Sequence, residues 1–138
     1  MGWDGTERRR RKRYAVKNST LRYRKGAGLF AFLMPPSPRY LVLNFSELGL
    51  HFITREEMRP GQGLRISMDA PGVRGTIGAP GRVVWCRKSE EINAFRVGCE
   101  FGAMGGGSKR VLKNLLDSAI LENVEISTKI YLKEIERL

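Results

Sequence analysis

Along most of the chain, apolar and polar residues alternate in short stretches separated by glycine, proline and charge. Successive side chains of a strand point to opposite faces, so Leu21-Arg22-Tyr23-Arg24 predicts a half-buried strand. Lys25-Gly26-Ala27-Gly28 reads as a turn. Leu29 to Met34 is a short apolar run, read as a strand or a covered loop, and Pro35-Pro36-Ser37-Pro38 breaks any regular element after it. Tyr40 to Asn44 and Leu48 to Thr54 read as a strand and its return, with Leu48, Leu50 and Phe52 on one face. Arg59-Pro60-Gly61-Gln62-Gly63 turns the chain into a strand from Leu64 to Met68. Asp69 to Pro80, rich in Gly and Pro, predicts an irregular loop with a short strand near Thr76-Ile77. Gly81 to Arg87 is a firmer strand, Lys88 to Asn93 a charged hairpin loop, and Ala94 to Phe101 the return. In that return Phe95, Val97, Cys99 and Phe101 alternate against Arg96, Gly98 and Glu100. Short strands at this spacing predict a small antiparallel barrel or sandwich, and barrel closure hides exposed sheet edges.

The period changes after Gly105-Gly106-Gly107. Ser108 is a fair helix N-cap, and Leu112, Leu115, Leu116, Ala119 and Ile120 share one helical face. Further on, Leu121, Val124, Thr128, Tyr131, Ile135 and Leu138 are spaced by threes and fours, a heptad seam of about two and a half repeats. One reading is a helix packed on the barrel. The other is a helix that runs past it and pairs with a second copy of the chain as a homo-oligomer.

Composition narrows the class. The 138 residues are 41% hydrophobic, enough for one packed domain with an appendage. No apolar run reaches the roughly 18 residues of a membrane span, so no membrane insertion is expected. No secretory signal is visible. Cys86 and Cys99 make neither a disulfide framework nor a metal-ligand spacing, and read as reduced, buried thiols of a cytoplasmic protein. A cross-strand pairing of the two is the alternative.

Charge adds a direction. The net charge is +11. Residues 1–25 hold ten Lys/Arg and two acids, a balance of +8, whereas the other 113 hold fifteen and twelve, only +3. The excess is concentrated in Arg8-Arg9-Arg10-Arg11-Lys12-Arg13, an anion-binding segment rather than a uniformly basic surface. The bland reading of such a block is a solvated arm or a generic polyanion contact. A second polar motif, Asn44-Phe45-Ser46-Glu47-Leu48-Gly49, lies between two apolar runs, where Asn and Ser side chains often only stabilise a turn. Taken together the two suit a ligand with both phosphates and guanines. Arg presents a planar fork of donors to phosphate or to the guanine O6/N7 edge, and Asn and Ser add short directed hydrogen bonds. Gly49 allows a positive φ or a close backbone approach. Arg22, Arg24 and Arg39 read as solubilising a strand face. His51 reads as structural rather than catalytic or metal-binding, and Trp85 as core, unless it stacks on a base. No nucleophile elbow, phosphate loop or metal cluster is present, so no enzyme is expected, and no cofactor.

These residues carry a family resemblance. An Arg-x-x-x-Arg motif ahead of the first strand, followed by Asp/Asn-x-Ser-x-x-Gly, resembles the signature of the PilZ domain family, receptors for the bacterial second messenger cyclic di-GMP. Arg9 and Arg13 fit the first motif with Tyr14 as the first strand residue, although Arg8 and Lys12 fit a register shifted by one. Asn44, Ser46 and Gly49 fit the second in full. Arg82-Val83-Val84-Trp85 and Phe95 to Phe101 look like the family's last strand pair. The resemblance implies a mainly β fold, a small antiparallel barrel of about six or seven strands with a C-terminal helix. It divides the chain into a basic segment 1–13, a barrel 14–104 and a helical segment 105–138. It implies that Arg9 and Arg13 grip guanine edges and phosphates, that Asn44 and Ser46 hydrogen-bond the ligand, and that Gly49 shapes the turn. Arg8 resembles the extra arginine of members that bind two intercalated ligands. A stand-alone receptor of this kind implies a protein partner in motility, pilus, secretion or exopolysaccharide control. The competing reading is a nucleic-acid binder that uses its basic arm.

Overall fold

The computed structural model describes residues 13–26, 28–119 and 132–133. Six strands, β1 (Thr20–Lys25), β2 (Tyr40–Phe45), β3 (Gly49–Thr54), β4 (Gly63–Asp69), β5 (Ile77–Ser89) and β6 (Ala94–Phe101), form a closed antiparallel barrel. Their order around it is β1-β2-β3-β6-β5-β4, with β4 pairing back onto β1. A five-residue helix α1 (Leu29–Leu33) lies between β1 and β2, and α2 (Gly106–Ser118) follows β6.

The barrel interior is what the alternation predicts. Leu21, Tyr23, Phe52, Leu64, Ile66, Met68 and Val97 are at most 2% exposed and pack in one cluster. Leu112 and Leu115 of α2 join that cluster. Burying side chains of this size contributes about 2 kcal/mol each, so this cluster is the main source of stability. Helix α2 starts at Gly106 with Gly105 as its cap, not at Ser108. The Ser108 hydroxyl instead accepts the Gly78 N–H at 3.0 Å and ties the helix to β5.

Other expectations need correction. The first barrel strand begins at Thr20, because Tyr14 makes only an isolated antiparallel bridge to Phe45. Leu29 to Met34 is neither strand nor covered loop. It winds into α1 with Ala31 alone buried, while Leu29, Phe30, Phe32 and Leu33 stay exposed. Leu48 lies at the turn and is 51% exposed, so it does not share the buried face of Leu50 and Phe52. The region 77–80 is no loop. Strand β5 runs through Pro80 for 13 residues, with Arg65 opposite that proline. Cys86 and Cys99 are free, and neither faces the other across the ladder, since Cys86 opposes Val97 and Cys99 opposes Val83. The helical seam from Leu121 to Leu138, and Ile120 before it, lie outside the described residues. Leu132, off that seam, is fully buried against Leu43, Ile53 and Ala94 on the outside of the barrel.

Two bulges break the alternation, and they shape one outer wall. In β2 the pairing slips between Val42 and Asn44, so Val42 and Phe45 both enter the core although they are three residues apart. Leu43 and Asn44 are thereby turned outward. In β5 the slip falls between Val83 and Trp85. Val83 stays in the core, while Val84 and Trp85 both face out. An extra residue in one strand reverses the facing of everything after it, which is how bulges re-aim side chains.

Candidate functional site

A cavity of about 320 Å³ opens on that outer wall, across the ends of β2, β3, β6 and β5. Arg13, Asn44, Ser46, Gly49 and Trp85 line it, with Gly98 and Glu100 of β6. Four of the residues singled out from the sequence, Arg13, Asn44, Ser46 and Gly49, are therefore brought together. Arg8 and Arg9 lie outside the described residues.

Each is positioned by backbone before side chain. Tyr14 and Phe45 exchange both backbone hydrogen bonds at 2.9 Å, and their rings stack. This bridge fixes Arg13 beside the hairpin, where its Nη1 donates to Asn44 Oδ1 at 3.3 Å. The hairpin closes through Ser46 N–H to Gly49 C=O at 2.8 Å. The Ser46 hydroxyl oxygen accepts the Leu48 N–H at 3.1 Å, which leaves its own hydrogen to donate into the cavity. Gly49 is needed for close approach, not for a left-handed turn. A Cβ there would sit 2.1 Å from the Cys99 carbonyl oxygen.

The cavity floor is Trp85, half-buried at the surface rather than in the core where the sequence reading first placed it. Trp85 lies flat over Gly98, where a Cβ would meet the indole nitrogen at 2.2 Å. The indole meets the edge of His51 at 4.9 Å between ring centroids, and Arg87 sits over it at 5.5 Å. Removing a side chain from β6 thus makes room for an aromatic plate that can take a base on its face. The sequence signal was present in Gly98 opposite Trp85, but the β5 bulge that pairs them is invisible to a period-two count.

Behind the plate lies His51, buried, with Asn44 Nδ2 at 3.0 Å from its Nδ1. Arg96 Nε donates to its Nε2 at 3.1 Å. Burial pulls the imidazole down to about 3, reinforced by the Arg96 and Arg13 charges, so it is neutral at physiological pH. Burial also pushes the Cys99 thiol up to about 12, which makes it an inert wall. Glu100 at the rim is ion-paired with Arg82. The cavity thus offers arginine donors, an amide, a hydroxyl and an aromatic face, all suited to an anion that carries a base. Among the described residues no cluster of His, Cys, Asp or Glu could hold a metal, and no helix is long and apolar enough to cross a membrane.

The fold has counterparts among solved structures. The PilZ domain of YcgR from Escherichia coli, solved with c-di-GMP, is similar at a TM-score of 0.60 and 15% identity, over 80% of this chain and 90% of that one. A longer YcgR chain in complex with c-di-GMP gives 0.61 at 15% identity, over 93% of this chain and 50% of that one. The inhibitor of motility MotI/DgrA from Bacillus subtilis gives 0.55 at 12% identity, over 86% and 54%. The chain therefore spans about half the length of the last two, and at these identities the likeness is one of fold. Among curated proteins nothing matches. The PilZ domain pattern matches residues 7–118, most of the 138-residue sequence, and the chain belongs to the PilZ domain family.

Proposed function

We propose that the protein is a cyclic di-GMP receptor that works by binding alone. The observation that carries this reading is the convergence of Arg13, Asn44, Ser46 and Trp85 on one cavity, with Gly49 and Gly98 clearing its walls. Arginine forks match phosphate oxygens and the guanine O6/N7 edge, and an indole face stacks a purine. Arg13 and, ahead of it, Arg9 and Arg8 grip the ligand. Asn44 and Ser46 hydrogen-bond it from the hairpin. Arg8 favours two stacked ligands per domain. The c-di-GMP complexes of the similar YcgR structures support the same ligand class.

Binding draws the arginine segment against the hairpin and so changes the surface beside it, the kind of local ordering that switches a partner on or off. The receptor acts in the cytoplasm on a protein partner in motility, pilus, secretion or exopolysaccharide control. Its C-terminal segment is the element for self-association. Truncation after residue 121 with mass by light scattering tests that last point, and an unchanged mass removes it.

Calorimetric titration with c-di-GMP, GTP and a short DNA duplex at two salt concentrations tests the receptor reading. The expected result is micromolar or tighter binding of c-di-GMP alone, with one or two ligands per chain and a shallow salt dependence. Arg13→Ala weakens it by about tenfold or more. Binding of DNA with a steep loss on adding salt, and no heat with c-di-GMP, would replace this reading with a polyanion-binding arm.

A further inference from the structure

Arg13, Asn44, His51 and Arg96 form one unbroken chain of hydrogen-bond contacts, from the cavity along the outer face of the barrel wall to β6. The distances are 3.3 Å from Arg13 Nη1 to Asn44 Oδ1, 3.0 Å from Asn44 Nδ2 to His51 Nδ1, and 3.1 Å from Arg96 Nε to His51 Nε2. The two interior members are 3% exposed, so water does not take over a lost partner. Arg96 does not line the cavity.

The chain holds one proton too many. Both end groups are arginines, which only donate. A primary amide offers one acceptor end and one donor end, and a neutral imidazole one acceptor nitrogen and one N–H. If Asn44 accepts from Arg13, its NH₂ end faces His51 and requires a bare Nδ1. The imidazole proton then sits on Nε2 and collides with the Arg96 N–H. If Arg96 instead donates to a bare Nε2, the proton sits on Nδ1. Asn44 must then turn its oxygen to His51, and its NH₂ end faces Arg13, donor against donor. Protonating His51 adds a donor and worsens the conflict, in keeping with its depressed basicity. The two arginines cannot both be satisfied.

We infer that His51 is a positioning residue whose tautomer decides which arginine is held, and that a ligand taking Arg13 resolves the conflict. In the free protein, Arg13 and Arg96 compete through the shared amide and imidazole. When an anionic ligand accepts the Arg13 donors, Arg96 keeps His51 Nε2, the proton settles on Nδ1, and the Asn44 oxygen accepts it. The Asn44 NH₂ group is then turned toward the cavity as a donor for the ligand. Arg96 thus lowers the cost of releasing Arg13 without touching the ligand. This inference rests on the receptor reading for its ligand, but the competition itself is a property of the free protein.

The experiment separates the two. Imidazole ¹⁵N shifts of His51, the sole histidine of the chain, report the tautomer directly. In the free protein, Arg96→Met should drive the ring to the Nε2–H form and Arg13→Ala to the Nδ1–H form, with the unsubstituted protein between them or exchanging. Identical tautomers in all three proteins would overturn the inference, whatever c-di-GMP does. Titration then supplies the coupling: c-di-GMP should drive the unsubstituted protein to Nδ1–H, and Arg96→Met should weaken binding about fivefold, on the scale of one net hydrogen bond. Arg96→Lys, which keeps a donor, should recover most of that loss. An Arg96→Met protein that binds within twofold of the unsubstituted one, with its fold intact, would also overturn it. Absence of c-di-GMP binding by the unsubstituted protein would sink the receptor reading alone, and the free-state comparison would still decide the tautomer latch.

Discussion

Two parts of the barrel surface break the rule that apolar groups lie inside and polar groups outside, and they break it in opposite senses. On the wall formed by β2, β3, β6 and β5, polar Asn44, Ser46 and His51 are buried. On the loop from β1 to β2, helix α1 holds Leu29, Phe30, Phe32 and Leu33 at 59–83% exposure. The buried polar groups are all tied to partners, whereas the exposed apolar ones rest on little more than Ala31 and a guanidinium over Phe32. A buried polar group without a partner costs about 1–3 kcal/mol, while an exposed apolar side chain costs almost nothing in the folded state. The first region is therefore tightly constrained in sequence and the second loosely, even though both depart from the usual pattern.

The largest test of that contrast is Arg13→Ala. It should remove up to about 3 kcal/mol of c-di-GMP binding, roughly a hundredfold in Kd, while the unfolding midpoint in urea stays unchanged. A large loss of stability would show that Arg13 is structural and weaken the distinction between site and scaffold. Next comes Gly49→Ala. A Cβ 2.1 Å from the Cys99 carbonyl oxygen forces β3 away from β6. Destabilisation of about 2–3 kcal/mol is expected in denaturant unfolding.

His51 gives the third test. Its folded basicity is depressed to about 3 while the unfolded chain titrates near 6.5, so the unfolded state takes up a proton first as the pH falls. Stability is full above about pH 6.5 and falls by about 1.4 kcal/mol per pH unit below it, close to 2 kcal/mol between pH 7 and 5. In this window the slope vanishes in His51→Phe. A flat profile in the unsubstituted protein would mean that the wall is wetter than its burial implies. The smallest effect belongs to the other region. Phe30→Ser should change stability by less than about 0.5 kcal/mol, because a side chain already in water gains little from folding. A loss several times larger would show that α1 packs against something in solution.

The same contrast explains what the sequence revealed. Strands β4 and β6 were legible because Leu64, Ile66 and Met68, and Val97 with Cys99, obey a strict period of two. Part of the site was legible because Arg13, Asn44, Ser46 and Gly49 belong to short local motifs. Gly98, His51 and Arg96 were not, and Trp85 was read first as core, since these residues become neighbours only through cross-strand register and two bulges. A periodicity count assumes that the pleat is never interrupted. Helix α1 escaped for a different reason: a five-residue apolar run is too short to show any period. Strand β5 was cut short because Pro80 and its glycines suggested a loop, yet the ladder with β4 continues past them.

Strand β5 also joins two parts of the molecule. One end of it is tied to α2 through Gly78 and Ser108, and the far end carries Trp85 at the cavity floor, with Arg87 over its ring. Seven residue steps lead from Gly78 to Trp85, about 23 Å of strand with the bulge between Val83 and Trp85 near its far end. No loop lies between them. The strand that carries the indole is thus the same strand that holds the start of α2, so the cavity wall and the helix root share one hydrogen-bonded element.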